Sequence, residues 1–349
     1  MAVIRPRDLL SDALLERLGG TWREGGGLPG NWLAGAGGGA AGTPPAGRDV
    51  AATLRRDIAR LGDAGYLNVA LPPEFGGLGC TLRQAACGQR RLARRAPFTA
   101  LAVSAHLYWT GAAADACRTG DNSVRWILLE AARGALFAAG HGAAGGDLRF
   151  ADPRSRCEPT GESGYRFRSP TVLSSLTPAW DWAAVHAVHP GGTTRPGGPD
   201  AVLAFAGRGS RCTPAFRVAR VQPVGTPGDI FTTSAMAWGH SILASVQYSD
   251  ARRAFNAAVA ATASAAAPGG GGHPLDQWPV AEAGLRLDAM KAKIAEITHP
   301  WPLVREPAPD LGGQHLISVF TMRNEVAEGA RRVLSLTAQI GCAPAVAAL

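Results

Sequence analysis

A glycine-rich stretch between Gly134 and Asp147 is the part of the sequence best suited to ligand chemistry. A short apolar run at 135–139 leads into a loop with almost no side chains, which ends on the carboxylate of Asp147. Because glycine has no Cβ, the main chain of such a loop can approach a flat or phosphorylated ligand closely and donate its N–H groups. The stretch therefore predicts a ligand-binding strand and loop.

The same loop contains the pattern G-x-G-x-x-G, at Gly140, Gly142 and Gly145, which is typical of dinucleotide-binding loops. In a Rossmann fold, a helix follows the glycines directly, and its N-terminus holds the pyrophosphate. Residues 147–164 contain two prolines and two glycines and no apolar stripe of helical period. No helix of useful length fits there, so the sequence favours another kind of strand-and-loop site.

The amino-acid composition indicates a globular protein. The chain has 349 residues, 46% of them hydrophobic, 45 glycines and 25 prolines, which is typical of a globular protein with Ala-rich helices and glycine-rich loops. The net charge of +8 would suit any polyanionic ligand, but the arginines are scattered apart from one cluster at 90–95, which favours a solvated face over nucleic-acid binding.

No apolar run reaches the roughly 18 residues that span a bilayer. The six cysteines form no C-x-x-C pair, and the N-terminus shows no signal peptide, so we expect a cytoplasmic protein without a membrane span.

The order of predicted elements is helices, then strands, then helices. Helical patterns occupy much of the first 133 residues; strand-like runs follow at 135–139, 164–169, 182–188, 201–206 and 215–222, with a weaker one at 242–248; helical patterns return at 251–267, 278–298 and 311–340. We therefore expect an α+β fold with an N-terminal all-helical domain (1–133), a middle antiparallel β-barrel or sandwich (134–250) and a C-terminal helical bundle (251–349).

This order, together with several motifs, resembles the acyl-CoA dehydrogenase family. Residues 61–79 are similar to the family's L-x-x-x-G…P-E-x-x-G-G-x-G segment, and His106 stands where the family often has a histidine. Residues 137–147 resemble its strand and flavin loop, aromatic-x-V-T-E-P-x-x-G-S-D. Residues 165–182 resemble the segment G-x-K-x-x-I-T followed by A-D, with Asp181 in step. Residues 272–277 and 336–342 are similar to the two motifs that frame its C-terminal helices.

The resemblance implies that the middle sheet and the C-terminal helices hold FAD. Carried over position by position, the implied flavin neighbours are Phe137, Ala139, Gly140, Gly146, Leu173, Ser174 and Ser175. The implied reaction is α,β-dehydrogenation of an acyl-CoA or acyl-carrier thioester in fatty acid metabolism, with electrons passing to an electron-transfer flavoprotein or another redox partner. A homo- or hetero-oligomer is implied as well.

The catalytic base is where the sequence departs from the family. The family places a glutamate either just after the Q-x-x-G-G turn or on the first helix after the sheet. Residues 343–349 contain no carboxylate, and neither does the helix predicted at 251–267. The Thr-Glu of the flavin loop is replaced by Gly140-His141, and Arg252 and Arg253 are the nearest matches to an arginine that reaches a neighbouring FAD in the family.

The substitutes for the missing base are weak, which leaves three functions open. His141 could titrate near neutral pH; Glu74, Glu325 and Glu328 are better read as turn or surface residues. The protein could be an acyl-CoA dehydrogenase-like enzyme, a catalytically silent member that binds flavin, acyl ligand or a full-length homologue, or a monooxygenase that uses reduced flavin and oxygen. We expect no metal site, since the pair His186 and His189 lacks a third ligand at zinc spacing.

Overall fold

The computed structural model describes residues 9–18, 48–142, 155–160, 164–168, 171–173, 179–192, 194, 198–208, 216–223, 229–265, 277–299 and 311–346. Within these residues, five helices precede the sheet: α1 (Asp12–Arg17), α2 (Arg48–Asp63), α3 (Leu82–Arg95), α4 (Pro97–Arg118) and α5 (Arg125–Ala132). Residues with strong preferences for helix N-termini mark where two of these helices begin. Thr81 and Gln84 form a capping box at the start of α3, and Pro97 occupies the first position of α4, where its missing N–H costs nothing.

Seven strands form one mixed sheet, and three long helices follow it. The strands are β1 (Phe137–Gly142), β2 (Arg156–Thr160), β3 (Gly164–Arg168), β4 (Thr171–Leu173), β5 (Trp182–His189), β6 (Asp200–Gly207) and β7 (Phe216–Pro223). The helices are α6 (Ile230–Ala265), α7 (Gln277–Thr298) and α8 (Leu311–Val346).

Strand β5 connects the two halves of the sheet. Its first three residues pair in parallel with β1, and Val188 near its end pairs in parallel with β2. Its other edge pairs antiparallel with β6 from Trp182 to His189, and β6 pairs antiparallel with β7. The far end of β1 pairs antiparallel with β4, and β2 with β3. The end of β1 that carries Gly140 therefore lies away from the β5 contact.

The core is organised around two helices that have no solvent-facing side. From Phe231 to Ala251 every residue of α6 except Leu243 is buried, and α4 is buried from Thr99 to Ala116. A helix that is buried all round must pack against neighbours on every face. The two helices approach closely at Gly111 of α4, where an added Cβ would lie 2.3 Å from the ring of Trp238 on α6. The glycine is required there because the indole ring occupies the space of a side chain.

The predicted α+β class and the order of elements are confirmed, with three corrections. The sheet is mixed and not purely antiparallel, because β1 and β2 run parallel to β5. The strand predicted at 242–248 is wrong, since these residues lie in the middle of α6. The helix after the sheet begins at Ile230 and not at Ala251, so it includes Asp250 as well as the residues predicted to form it, which carry no carboxylate. The division at residues 133 and 250 stays a prediction.

Candidate flavin site at the end of strand β1

The two segments that the sequence assigned to a flavin lie side by side. Gly140 of β1 is paired with Leu173 of β4, His141 with Val172 and Gly142 with Thr171. Residues 143–170 separate these segments along the chain, and the antiparallel ladder brings their main chains into hydrogen-bonding distance. The pair forms a strip of main chain that carries glycines at two of its three β1 positions.

Only some of the predicted flavin neighbours lie close together in the structure. Ala139 and Gly140 are consecutive on β1, and Leu173 faces Gly140 across the β1–β4 pair. Gly146, Ser174 and Ser175 lie outside the described residues. His141 is fixed by its register opposite Val172. Of the four described members of the predicted set, Ala139, Gly140 and Leu173 therefore lie together, and their contacts with a flavin stay a prediction.

Phe137 lies in an aromatic cluster at the other end of β1. Its side chain is fully buried, and its ring centroid lies 6.2 Å from that of His106, 5.9 Å from Trp126 and 5.6 Å from Phe205. These rings fill the space between the sheet and the helices at the start of β1. A flat ligand on this strand would therefore have to lie beyond Phe137, towards Gly140.

His106 joins helix α4 to the start of this strand. Its Nδ1 accepts the backbone N–H of Phe137 at 3.4 Å, and its Nε2 is 3.0 Å from the carbonyl oxygen of Leu67. Because Nδ1 accepts, Nε2 carries the proton and donates to Leu67. Burial lowers the pKa of His106 to about 4, against which the Leu67 hydrogen bond acts only in part. The histidine is therefore neutral near pH 7 and positions β1.

Asp181 fixes the same strand from the β5 side. Its Oδ2 accepts the backbone N–H of Leu136 at 2.8 Å, while the backbone N–H groups of Asp181 and Trp182 both donate to the carbonyl oxygen of Leu136. The residue that the motif places in step with A-D thus holds the entry to β1 in register with β5. With His106 on one side and Asp181 on the other, the strand that leads to Gly140 has little freedom.

The substitutes for a catalytic base do not gather at this end of β1. Glu74 lies exposed in the short turn Pro73–Phe75, and Glu325 and Glu328 are exposed on α8, as the sequence favoured. The carboxylates at the start of α6 and within it are engaged: Asp229 caps the helix through the Thr232 N–H and binds Arg220, and Asp250 binds Arg253 at 2.8 Å. None of these five described carboxylates is placed at the end of β1 that carries Gly140.

Two polar groups that the sequence did not single out tie the helices and the sheet together. Asp115 on α4 accepts hydrogen bonds from Ser234, from the Nε1–H of Trp238 at 2.8 Å and from Arg118. Arg220 on β7 binds Asp121 and Asp229, and it donates to Ser123 at 2.7 Å. Their partners are remote in sequence, so no local pattern could have revealed them.

The two histidines considered as metal ligands, His186 and His189, point away from each other. Both lie on β5, where a separation of three residues points two side chains to opposite faces. No group of three or more histidine, cysteine, aspartate or glutamate side chains that could hold an ion occurs among the described residues. None of the described helices combines the length and apolarity that crossing a bilayer requires.

Solved structures of several flavoproteins share this fold. Dibenzothiophene monooxygenase TdsC from Paenibacillus sp. A11-2 is 16% identical, covering 89% of this chain and 86% of its own, with a TM-score of 0.60. KijD3, solved with FMN and dTDP-3-amino-2,3,6-trideoxy-4-keto-3-methyl-D-glucose, is 20% identical, covering 87% and 86%, with a TM-score of 0.60. The flavoprotein nitroalkane oxidase is 12% identical, covering 82% and 77%, with a TM-score of 0.62. No family model matches the sequence, and no curated protein does. The chain therefore has the acyl-CoA dehydrogenase fold, and at these identities the likeness shows the fold alone.

Proposed function

We propose that this protein is a flavin-dependent monooxygenase, which uses reduced flavin and molecular oxygen to oxygenate a nitrogen or sulfur atom of a small organic molecule. The proteins of similar fold are flavin oxidoreductases, and among them are a dibenzothiophene monooxygenase and a nitrososynthase. For this chain we prefer oxygenation to the α,β-dehydrogenation of an acyl thioester that the resemblance implied.

The residues at the end of β1 suit a flat ring system. Gly140 offers no side chain, Ala139 offers only a methyl group, and β4 lies directly beside Gly140 in an antiparallel pair. The residues that would hold the flavin are Ala139, Gly140 and Leu173, with Gly146, Ser174 and Ser175 expected from the sequence. When bound and reduced, the flavin would supply the electrons for oxygen chemistry; the protein would supply orientation and exclusion of water.

We prefer oxygenation to dehydrogenation because of where the carboxylates lie and what they bind. Removing the α-proton of an acyl thioester needs a base within hydrogen-bond reach of that proton. Asp229, which caps α6, and Asp250 within α6 are each bound to an arginine, and Glu325 and Glu328 on α8 are exposed. Oxygenation by reduced flavin needs no such base. An electron-transfer flavoprotein would not be required either, because a flavin reductase could deliver the electrons.

The arginines of α6 favour FMN over the FAD that the resemblance implied. In the family, an arginine of this helix reaches the FAD of a neighbouring subunit. Here Arg253 binds Asp250, and the guanidinium of Arg252 lies 5.7 Å from the ring centroid of Phe255. Both candidates are engaged within their own helix. TdsC and KijD3 have each been solved with FMN.

The experiment compares flavin binding with two reactions of the full-length protein. FMN and FAD titrations, followed by the visible spectrum and fluorescence, give the preferred cofactor. The protein is then supplied with a flavin reductase, NADH and oxygen, with indole and dibenzothiophene as probe substrates. We expect an oxygenated product that depends on the protein and not on free reduced flavin alone. Product formation at the level of free flavin would contradict the proposal.

The anaerobic arm of the experiment tests dehydrogenation. The flavin-loaded protein is mixed with acyl-CoA thioesters of increasing chain length without oxygen. We expect no bleaching of the flavin spectrum. Bleaching would establish dehydrogenation instead, and the variants His141→Gln and Glu328→Gln would then show which group takes the α-proton.

A catalytically silent protein is the second candidate, and one specific observation favours it. The family's flavin-loop threonine is replaced by Gly140, so one hydroxyl that would bind the flavin is absent from the described strand. Such a hydroxyl contributes about 0.5–1.5 kcal/mol. Failure to bind either flavin at micromolar concentration would support this candidate and exclude both enzymatic ones.

A further inference from the structure

The arginines of helix α3 have no role in the proposed function. Five of the 14 residues of this helix are arginines: Arg83, Arg90, Arg91, Arg94 and Arg95. The sequence has no aspartate or glutamate between Glu74 and Asp115, so α3 contains no carboxylate that could neutralise them. The helix therefore adds positive charge to this surface and no negative charge.

Three of these arginines and one cysteine form a line along the outer face of α3. Residues 83, 87, 90 and 94 follow one another at steps of four, three and four, so their side chains lie on one side of the helix. Arg83, Cys87 and Arg94 are exposed, and Arg90 is half-buried. The residues on the opposite side are buried: Leu82, Ala85, Ala86, Gly88, Gln89, Leu92 and Ala93. The helix thus presents an arginine stripe (Arg83, Arg90 and Arg94), about 16 Å long, to solvent.

No carboxylate pairs with the arginine stripe in the part of the chain that the structure describes. Arg90 donates to the Sγ atom of Cys87 at 2.9 Å and makes no ion pair there. Arg83 and Arg94 make neither an ion pair nor a side-chain hydrogen bond with a described residue. The guanidinium groups of the stripe are therefore available to an outside partner.

The helices that border α3 do not neutralise the stripe. Asp12 of α1 binds Arg91, which lies beside the stripe, at 2.8 Å. Glu16, the other carboxylate of α1, makes no ion pair with the stripe within the described chain. Helix α6 is hydrogen-bonded to the main chain of α3, but its Asp250 is buried and binds Arg253.

Helix stability does not explain the position of Arg83. Thr81 caps α3, so Arg83 lies in the first turn, near the positive end of the helix dipole, where a cation is unfavourable. Arg90 and Arg94 are four residues apart, and like charges at this spacing also destabilise a helix. Only the arginines of the last turn suit the dipole. A charge pattern that costs the free helix stability is typical of a surface with a function.

We propose that the arginine stripe docks an acidic helical segment of a partner protein, whose carboxylates repeat at i, i+4, i+7 and i+11. This spacing reads the same in both directions, so such a helix can lie parallel or antiparallel to α3. Opposite charges then face one another along the whole stripe, and each guanidinium can bind a carboxylate through two hydrogen bonds. The surface involves no flavin, so the proposal does not depend on the proposed function.

The side chains of this face favour a protein over a membrane or a nucleic acid. The exposed and half-buried residues of α3 are Arg83, Gln84, Cys87, Arg90, Arg91, Arg94 and Arg95. None of them is a large apolar side chain that could enter a lipid surface. None is an aromatic ring on which a nucleic-acid base could stack.

The first test measures the binding of synthetic peptides to the full-length protein without flavin, by calorimetry at near-physiological salt. The probe is a capped helical peptide of alanine and glutamine with glutamates at i, i+4, i+7 and i+11. The comparison peptide has the same composition, but its glutamates are consecutive and therefore spread around the helix. We expect the spaced peptide to bind more tightly, with an affinity that falls as salt is added.

Two double variants with the same change in net charge locate the binding surface. Arg83→Glu with Arg94→Glu should raise the dissociation constant of the spaced peptide by about tenfold or more. Lys291→Glu with Arg331→Glu is the matched control, because both residues are exposed on other helices, α7 and α8; it should retain the wild-type affinity. All four side chains face solvent, so the thermal unfolding curves should match wild type.

Three results of this test would overturn the proposal. Equal affinities for the two peptides would show that the spacing of the carboxylates is not recognised. Equal weakening in the two double variants would show that only net charge attracts the peptide. Tighter binding of a DNA oligonucleotide or of anionic phospholipid vesicles at the same salt concentration would assign the stripe to another class of partner.

The second test uses the exposed Cys87, which lies on the line of the stripe between Arg83 and Arg90. A spaced peptide with a cysteine in place of one central glutamate should form a mixed disulfide with Cys87 under mild oxidation. The same change in the comparison peptide should give a slower reaction, and Cys87→Ser should abolish the product that mass spectrometry assigns to this residue. Equal rates for the two peptides, or preferential reaction at another cysteine, would overturn the docking position.

Discussion

The backbone N–H of Phe137 donates to Nδ1 of His106, and this one contact sets the state of both residues. It fixes the neutral Nε2–H tautomer, which in turn donates to the Leu67 carbonyl. The first residue of β1 is thereby attached to α4 and to the turn at Tyr66–Asn68. The strand that ends at Gly140 is positioned by a histidine that does not itself approach the glycine-rich end.

Replacing His106 should destabilise the protein and change its response to acid. His106→Leu leaves the Leu67 carbonyl and the Phe137 N–H buried without partners, at a cost of about 2–4 kcal/mol. The folded pKa of about 4 lies below the ordinary value of 6.5, so the unfolded state binds the proton more readily. Stability should therefore fall as pH decreases from about 6.5 to about 4, by at most about 1.4 kcal/mol per pH unit from this group.

Chemical denaturation at a series of pH values measures both effects of the His106 substitution. His106→Gln keeps a donor and an acceptor but cannot titrate, so it should flatten the pH dependence between 4 and 6.5 while costing less stability than leucine. An unchanged pH slope in the glutamine variant would show that other groups cause the acid sensitivity.

Gly111→Ala should destabilise the protein strongly for so small a change. The new methyl group would lie 2.3–2.5 Å from three atoms of the Trp238 ring, and the hydrogen bond from Trp238 to Asp115 prevents the ring from moving freely. Overpacking of this kind costs about 1–3 kcal/mol. Gly62→Ala on α2 is the control, because its nearest neighbour would be 3.6 Å away; it should be neutral or stabilise the helix. Equal unfolding midpoints for the two variants would contradict this account.

The elements with a clear period could be predicted from the sequence. Helices expected at 278–298 and 311–340 occur at Gln277–Thr298 and Leu311–Val346, and strands expected at 182–188 and 201–206 occur within one or two residues of those bounds. The error at 242–248 has a physical cause. A helix that is buried on all sides has no polar stripe, so its run of β-branched and aromatic residues is indistinguishable from a strand by pattern.

Only the short segments of the candidate site could be predicted from the sequence. These are the glycine-rich loop at 140–146 and the motif around residue 173, and the structure pairs Gly140 with Leu173. The residues that connect these strands to the helices could not. Asp115 and Trp238 are 123 residues apart, and Arg220 and Asp121 are 99 apart. Such pairs depend on the packing of whole elements, and short patterns do not encode them.

Loss of the Arg220 side chain should loosen the junction between β7, the turn before α5 and the start of α6. Arg220→Met leaves Asp121 and Asp229 without their shared cation, at an expected cost of about 1–3 kcal/mol. Arg133→Met is the control, because the Arg133–Glu130 pair is a surface ion pair, and it should cost less than about 0.5 kcal/mol. Unfolding curves in urea measure both. Similar midpoints for the two variants would show that the partly buried ion pairs of Arg220 are no stronger than the surface pair of Arg133.

The same junction should weaken in acid. Burial disfavours ionisation of Asp121, but hydrogen bonds from Ser123 and the charge of Arg220 outweigh it and lower the pKa of this carboxyl. A lowered carboxyl pKa adds stability above the unfolded value, and that stability is lost as pH falls below about 4. Asp121→Asn should remove this part of the acid sensitivity, and titration of the stability of wild type and variant checks it.

Gly140→Thr should strengthen flavin binding if the β1–β4 strip holds the cofactor. The substitution restores the hydroxyl that the family carries at this position, and one hydrogen bond of about 0.5–1.5 kcal/mol lowers the dissociation constant by roughly two- to twelve-fold. Gly140→Ala adds bulk without the hydroxyl and is the matched control. Fluorescence titration with FMN and with FAD measures both variants against wild type. Equal affinities of the threonine and alanine variants would mean that the hydroxyl finds no flavin atom, and the cofactor would have to lie elsewhere.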